Sequence, residues 1–218
     1  MLCEPLLLFF VSVIAFIILV IKFKTDNILV ASAGGAFFGT AAAFLLNISY
    51  LKMKTKLKNI SSLRKSEYLI EKILKNNIEI KSDMDKYLTI ANGTVYDWEK
   101  IRRYEHFFPI PEIQIKDLTF LVDHHELGKE TLDSILLVNA ENLSVIHILE
   151  ERNYKYAFYL DRTETASYST KEDLEKIISK RLCIELESLT ERLKSLNSNL
   201  LEDCRKAKNK IEKFLYSY

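Results

Sequence analysis

The stretch Ile28-Leu-Val-Ala-Ser-Ala-Gly-Gly-Ala-Phe-Phe-Gly-Thr-Ala-Ala-Ala-Phe-Leu-Leu46 decides the fold, because it runs its whole length without a charge. Extended through Tyr50 and Leu51, a helix rising about 1.5 Å per residue reaches roughly 36 Å, enough to cross a hydrocarbon layer of about 30 Å. Lipid offers no partner to backbone N–H and C=O groups, so such a segment crosses as a helix. A second apolar run, Leu6 to Ile21, lies just before it, separated only by Lys22-Phe-Lys-Thr-Asp-Asn27. With Pro5 and Phe23 that run covers about 27 Å, and snorkelling of Lys22 and Lys24 makes up the rest. Residues 1–51 therefore read as a transmembrane helical hairpin, with spans at about 5–23 and 28–51. A cleaved signal peptide fits poorly: the first residues, Met-Leu-Cys-Glu, carry no positive charge, and lysines follow where small cleavage residues belong.

Beyond the second run come Lys52, Lys54, Lys56, Lys58, Arg64 and Lys65, with no acidic residue before Glu67. The excess of positive charge places that side of the hairpin in the cytoplasm, with both termini there, in a multi-pass protein of the cell inner membrane. Lys52, Lys54, Lys56 and Lys58 also sit where lipid head groups would lie, so they read either as head-group contacts or as a plain topology signal. The full chain of 218 residues holds 31 Lys and Arg against 30 Asp and Glu, and two of each precede residue 52. The chain from residue 52 onward is thus nearly neutral, which disfavours the broad basic field of a nucleic-acid binder. Cys3, Cys183 and Cys204 are too scattered for a disulfide framework or a zinc knuckle.

After the second run glycine is scarce, at Gly93 and Gly128 only, and proline occurs at Pro109 and Pro111. Long helices are predicted: the fold class is all-α, a membrane hairpin followed by a cytoplasmic helical domain with coiled-coil-like helices. A stalk over 52–108 carries one seam through positions 73, 77, 80, 84, 87 and 91, with a break at Asn92-Gly93 and a further segment to about Phe108. Phe107-Phe-Pro-Ile-Pro111 must leave the helix. Next comes a small helical cap over 109–170, with a short helix from Asp117 to Val122 ended by Gly128. An amphipathic helix then runs from about Glu130 to Asn153 or Tyr159, using Leu132, Ile135, Leu136, Leu143, Ile146 and Leu149. The last element, 171–218, starts at a Ser169 or Thr170 cap and carries Leu186, Leu189, Leu193, Leu196 and Leu200 as a pairing seam. That seam pairs with the stalk of the same chain or with another chain. Arg205, Lys206, Lys208, Lys210 and Lys213 beside Phe214, Tyr216 and Tyr218 read as a return to the membrane interface or as a solvated end.

Catalytic, cofactor and metal residues are not identified, and no small-molecule substrate is implied. Asp123-His-His-Glu126 is the one local metal-like cluster, yet neighbours on a helix point about 100° apart, and a polar surface explains it better. Arg102-Arg103-Tyr-Glu-His106 reads as helix-face pairing, and His147 as a packed side chain. The sequence expectation is a non-enzyme. In the second span Ala31, Gly35, Gly39 and Ala43 recur every four residues, a small-residue face through which membrane helices approach closely. It serves either the packing of the first span or a homo-oligomer.

Two N-terminal spans combined with the stretches Tyr104-Glu-His-Phe-Phe-Pro-Ile-Pro111, Asp117-Leu-Thr-Phe-Leu121 and Leu149-Glu-Glu-Arg-Asn153 resemble the small bacterial two-span effectors of retron antiphage systems. The resemblance implies a toxic membrane protein kept silent by a reverse transcriptase with RNA-linked DNA, and released on phage attack to disturb the inner membrane. Its partners would be membrane lipids, further copies of itself and that inhibitor. The other reading of the same helices is a membrane-anchored scaffold or adaptor binding a cytoplasmic partner.

Overall fold

The computed structural model describes residues 14, 18, 28–90, 96–101 and 113–218. All regular structure among them is helical, and the chain is all-α. It divides into two units, Met1–Lys58 and Asn59–Tyr218. Most of the expected first span, the break at Asn92-Gly93 and the Pro109–Pro111 corner lie outside the described residues; Ile14 and Ile18 are helical and exposed.

Helix α1 is Ile28–Ile90. In the first unit many of its apolar side chains are exposed: Phe37, Phe44, Leu46, Tyr50 and Leu51 are all more than half exposed. Thr40 returns its hydroxyl to the Ala36 carbonyl at 2.7 Å, which satisfies the one polar side chain in that stretch between Phe37 and Leu46.

The second unit is built from three long helical stretches: α1 from Asn59, α3 (His125–Thr163) and α5 (Lys180–Ser217). Each buries one stripe with alternating spacings of three and four. On α1 it passes through 63, 66, 70, 73, 77 and 84; on α3 through 128, 131, 135, 138, 142, 145, 149, 152, 156 and 159; on α5 through 183, 186, 190, 193, 197, 200, 204, 207, 211 and 214. A mean spacing of 3.5 is the heptad pattern, which keeps a seam facing its partner along helices of this length. Three contacts fix α1 against α5: Asn59 to Tyr218 at 2.9 Å, Glu71 to Lys208 at 3.3 Å and Asn197 to the Asn77 carbonyl at 3.1 Å. Numbers rise on one helix as they fall on the other, so the pair is antiparallel. The contacts Glu130–Lys210 at 3.5 Å, Arg152–Thr190 at 3.0 Å and Lys155–Glu185 at 2.6 Å do the same for α3 and α5. The stretch of α1 within this unit accordingly runs parallel to α3.

Short elements close the ends. The expected helix over 117–122 is a 3-10 helix, Ile115–Asp123, with Leu118 and Leu121 fully buried. Gly128 does not end it but lies inside α3, where a Cβ would collide with the Leu121 carbonyl oxygen; glycine is required there for close backbone approach. Helix α2, Asp97–Lys100, is a single turn and gives way to a bend at Ile101; residues 102–108 lie outside the described ones. The element expected over 171–218 is two helices, α4 (Lys171–Ile178) and α5. Thr170 caps α4 by accepting the Asp173 N–H, as its position predicts. Ser179 separates the two at φ 75°, and its hydroxyl accepts the Leu182 N–H at 3.4 Å to cap α5.

Candidate functional site

The small-residue face of α1 is uncovered among the described residues. Among the described residues nothing lies within 4 Å of a Cβ built on Gly35 or Gly39, and Ala43 is exposed; Ala31 is part of the same helix. Lys52, Lys54, Lys56 and Lys58 are all exposed. At about 100° per residue, lysines two apart point in nearly opposite directions, so the four surround the helix axis instead of lining one side. By length and composition, two helices among the described residues are apolar enough to cross a membrane, Gly34–Lys86 and Glu126–Thr163, with 6% and 33% of their apolar windows buried. The second is α3, whose inner stripe is already covered by α5 and holds a buried arginine.

Four of the five leucines of the expected pairing seam on α5 are buried, and Leu196 is partly buried against the same core. Leu186, Leu193 and Leu200 are on the buried stripe; Leu189 and Leu196 flank it. The centre also includes Thr190 and Asn197, two polar residues outside the expected seam. Each is 2% exposed or less and is held by a partner on a neighbouring helix, Arg152 or Asn77.

The densest chemistry surrounds α2. Arg152 on α3 is fully buried, donating Nε to the Thr190 hydroxyl and Nη2 to the carbonyls of Trp98 at 3.1 Å and Ile101 at 2.5 Å. The Tyr156 hydroxyl donates to the Glu99 carbonyl at 3.1 Å. Carbonyls at the end of a helix have no intrahelical donor, and here α3 supplies them. Glu99, 6% exposed, accepts the Tyr96 N–H on Oε1 at 2.6 Å, and on Oε2 the hydroxyls of Tyr168 at 2.7 Å and Tyr159 at 3.3 Å. Burial, then the hydrogen bonds to Tyr159 and Glu99, raises the Tyr168 phenol above its ordinary value, so it stays a donor at neutral pH. Trp98 stacks on Tyr96 at 5.5 Å and meets Tyr159 edge-on at 5.0 Å.

Other candidates are reassigned. His147, expected to pack, is exposed. His124 lies among Phe120, Phe214 and Tyr218, 4.7 Å from the Tyr218 ring centre. Among the described residues no group of three or more His, Cys, Asp or Glu side chains is placed to hold a metal ion. Cys183 and Cys204 are buried free thiols; burial first, then nearby carboxylates, pushes them up to about 11 and about 12, which leaves them protonated. Comparison with protein-family models, with curated proteins and with solved structures finds no match for this chain.

Proposed function

We propose that this chain is a membrane-embedded effector of a bacterial antiphage system of the retron type, silenced by a reverse transcriptase with RNA-linked DNA and disturbing the inner membrane on release. The reading assigns it no catalytic chemistry. The observation that carries it is the apolar length of α1, with Phe37, Phe44 and Leu46 more than half exposed and the Gly35–Gly39 face uncovered among the described residues. A bilayer is the solvent that suits those side chains, and a small-residue face is how helices within it meet. Lys52, Lys54, Lys56 and Lys58 then act as a head-group collar on the cytoplasmic side.

Inducible expression without neighbouring genes tests this. Growth arrest with loss of membrane potential is expected, relieved when an adjacent reverse transcriptase and its RNA are co-expressed. Unchanged growth and potential at strong expression would overturn the reading.

A second reading, a membrane-anchored adaptor, is favoured by one feature of α3. Leu136, Leu143, Tyr154 and Phe158 share an outer face and are 40 to 77% exposed. Leu143→Asp with Tyr154→Asp discriminates: an adaptor loses its activity with that face, whereas an effector expressed alone keeps its toxicity.

A further inference from the structure

The buried stripes of the three-helix unit change character at one level. Asn77 on α1, Asn142 on α3 and Asn197 on α5 are 0%, 3% and 1% exposed, one asparagine from each helix, each on the inward stripe. Asn197 Nδ2 donates to the Asn77 carbonyl at 3.1 Å, which puts those two side by side. On α3, the Glu130–Lys210 and Arg152–Thr190 contacts bracket Asn142. Counting between them sets it opposite residue ~199 of α5, within about one helical turn of Asn197.

The unmet demand at this level has one sign. The Oδ1 atoms of all three asparagines are buried and have no hydrogen-bond partner among the described residues. The Nδ2 groups of Asn77 and Asn197 are committed to the carbonyls of Ile73 and Asn77. Three acceptors on three helices therefore await donors that the surrounding leucine and isoleucine side chains cannot provide. A dry buried carbonyl is costly, and an internal water, which offers two O–H donors, is the ordinary remedy. A bare metal cation would also accept oxygen ligands, but hard cations favour carboxylates and a larger oxygen shell than three amides supply.

We propose that Asn77, Asn142 and Asn197 form a buried binding site for internal water, at least two molecules for the three acceptors, and that this hydrated layer fixes the register of the three helices. The stripes repeat every seven residues, so sliding one helix by a heptad again lays one stripe on another. The asparagine layer marks one alignment, because only there do the three asparagines fall within about one helical turn of one another. A single buried asparagine is known to specify register in coiled coils at some cost in stability.

The test uses the full chain in detergent micelles with labelled asparagine amides. Cross-relaxation from long-lived water to the side-chain amide protons of Asn77, Asn142 and Asn197 is expected, with its loss in the N77L/N142L/N197L variant. A folded wild-type protein whose three amides show no such water would overturn the site. Register is read by cross-linking Glu71→Cys to Lys208→Cys, against the slipped partner Leu215→Cys. With the asparagines present the 71–208 bond is expected to dominate, and with leucines the 71–215 bond should reach comparable yield. If the leucine variant kept the 71–208 bond alone, the layer would not be setting register; if it failed to fold, the wild-type water measurement still decides the site.

Discussion

Arg152 joins three helices of the second unit through one guanidinium. It is a buried cation that ties α3 to α5 through Thr190 and to α2 through the Trp98 and Ile101 carbonyls. Arg152→Leu removes the donors and leaves buried acceptors behind, so a loss on the order of 3 kcal/mol is expected, read by denaturant unfolding in detergent. Retained stability in that variant would mean the carbonyls find other donors. Ser179 shows the reverse situation, a residue in a backbone region that suits glycine. Ser179→Gly relieves that conformation while giving up only a few tenths of a kcal/mol of capping, for a net gain of about 1 kcal/mol. Ser179→Ala keeps the strain, loses the cap, and should melt at a lower temperature than the wild type.

Between α3 and α5 lies a pair of carboxyl groups with a definite pH signature. Burial first, then the charge and hydrogen bond of Asp203, raises the Glu141 carboxyl above its ordinary value of 4.5, with Lys206 opposing. The folded state thus holds this proton more tightly than the unfolded chain. Its contribution is complete below about 4.5 and is lost as pH rises through the raised folded value. Glu141→Gln keeps a donor toward Asp203 at every pH. The melting-temperature difference between wild type and this variant should therefore shift against the wild type from pH 4 to pH 7, and a constant difference would refute the pairing. At this scale the sequence was readable in part. Spacing gave helices over most of α1, α3 and α5, and the Thr170 cap, because apolar periodicity and capping residues are local signals. The break at Ser179 was hidden because Ile178, Ser179 and Lys180 are all compatible with a helix. The buried stripe of α3 was misplaced because Leu136 and Leu143 counted as inward while Asn142 and Arg152 were not among the expected inward positions; burial of Arg152 is decided by its partners on other helices. The cluster around Glu99 joins residues on α2, on α3 and before α4, so no window of sequence displays it.

For the molecule as a whole, the membrane reading makes a demand on α1 that its own fold does not. Side chains built at Gly35 and Gly39 meet nothing within 4 Å, so Gly35→Ile and Gly39→Ile do not clash within the described structure. If the open face joins copies of the chain, these variants should insert normally while cross-linked oligomers and toxicity fall together. Toxicity lost with oligomers intact would instead assign the face to the first span; no change in either would make the motif incidental.

The two buried thiols turn the bundle into its own clock. Cys183 belongs to the aromatic cluster of Trp98, Tyr156 and Tyr159, and Cys204 to the larger aliphatic cluster of Ile73, Leu149 and Leu200. An alkylating reagent reaches either sulfur only when its own neighbourhood opens, and only then does the thiol recover ordinary acidity. Equal modification rates would mean that the helices part in one cooperative event. Unequal rates would name the end that yields first, with no label, tag or substitution added to the protein.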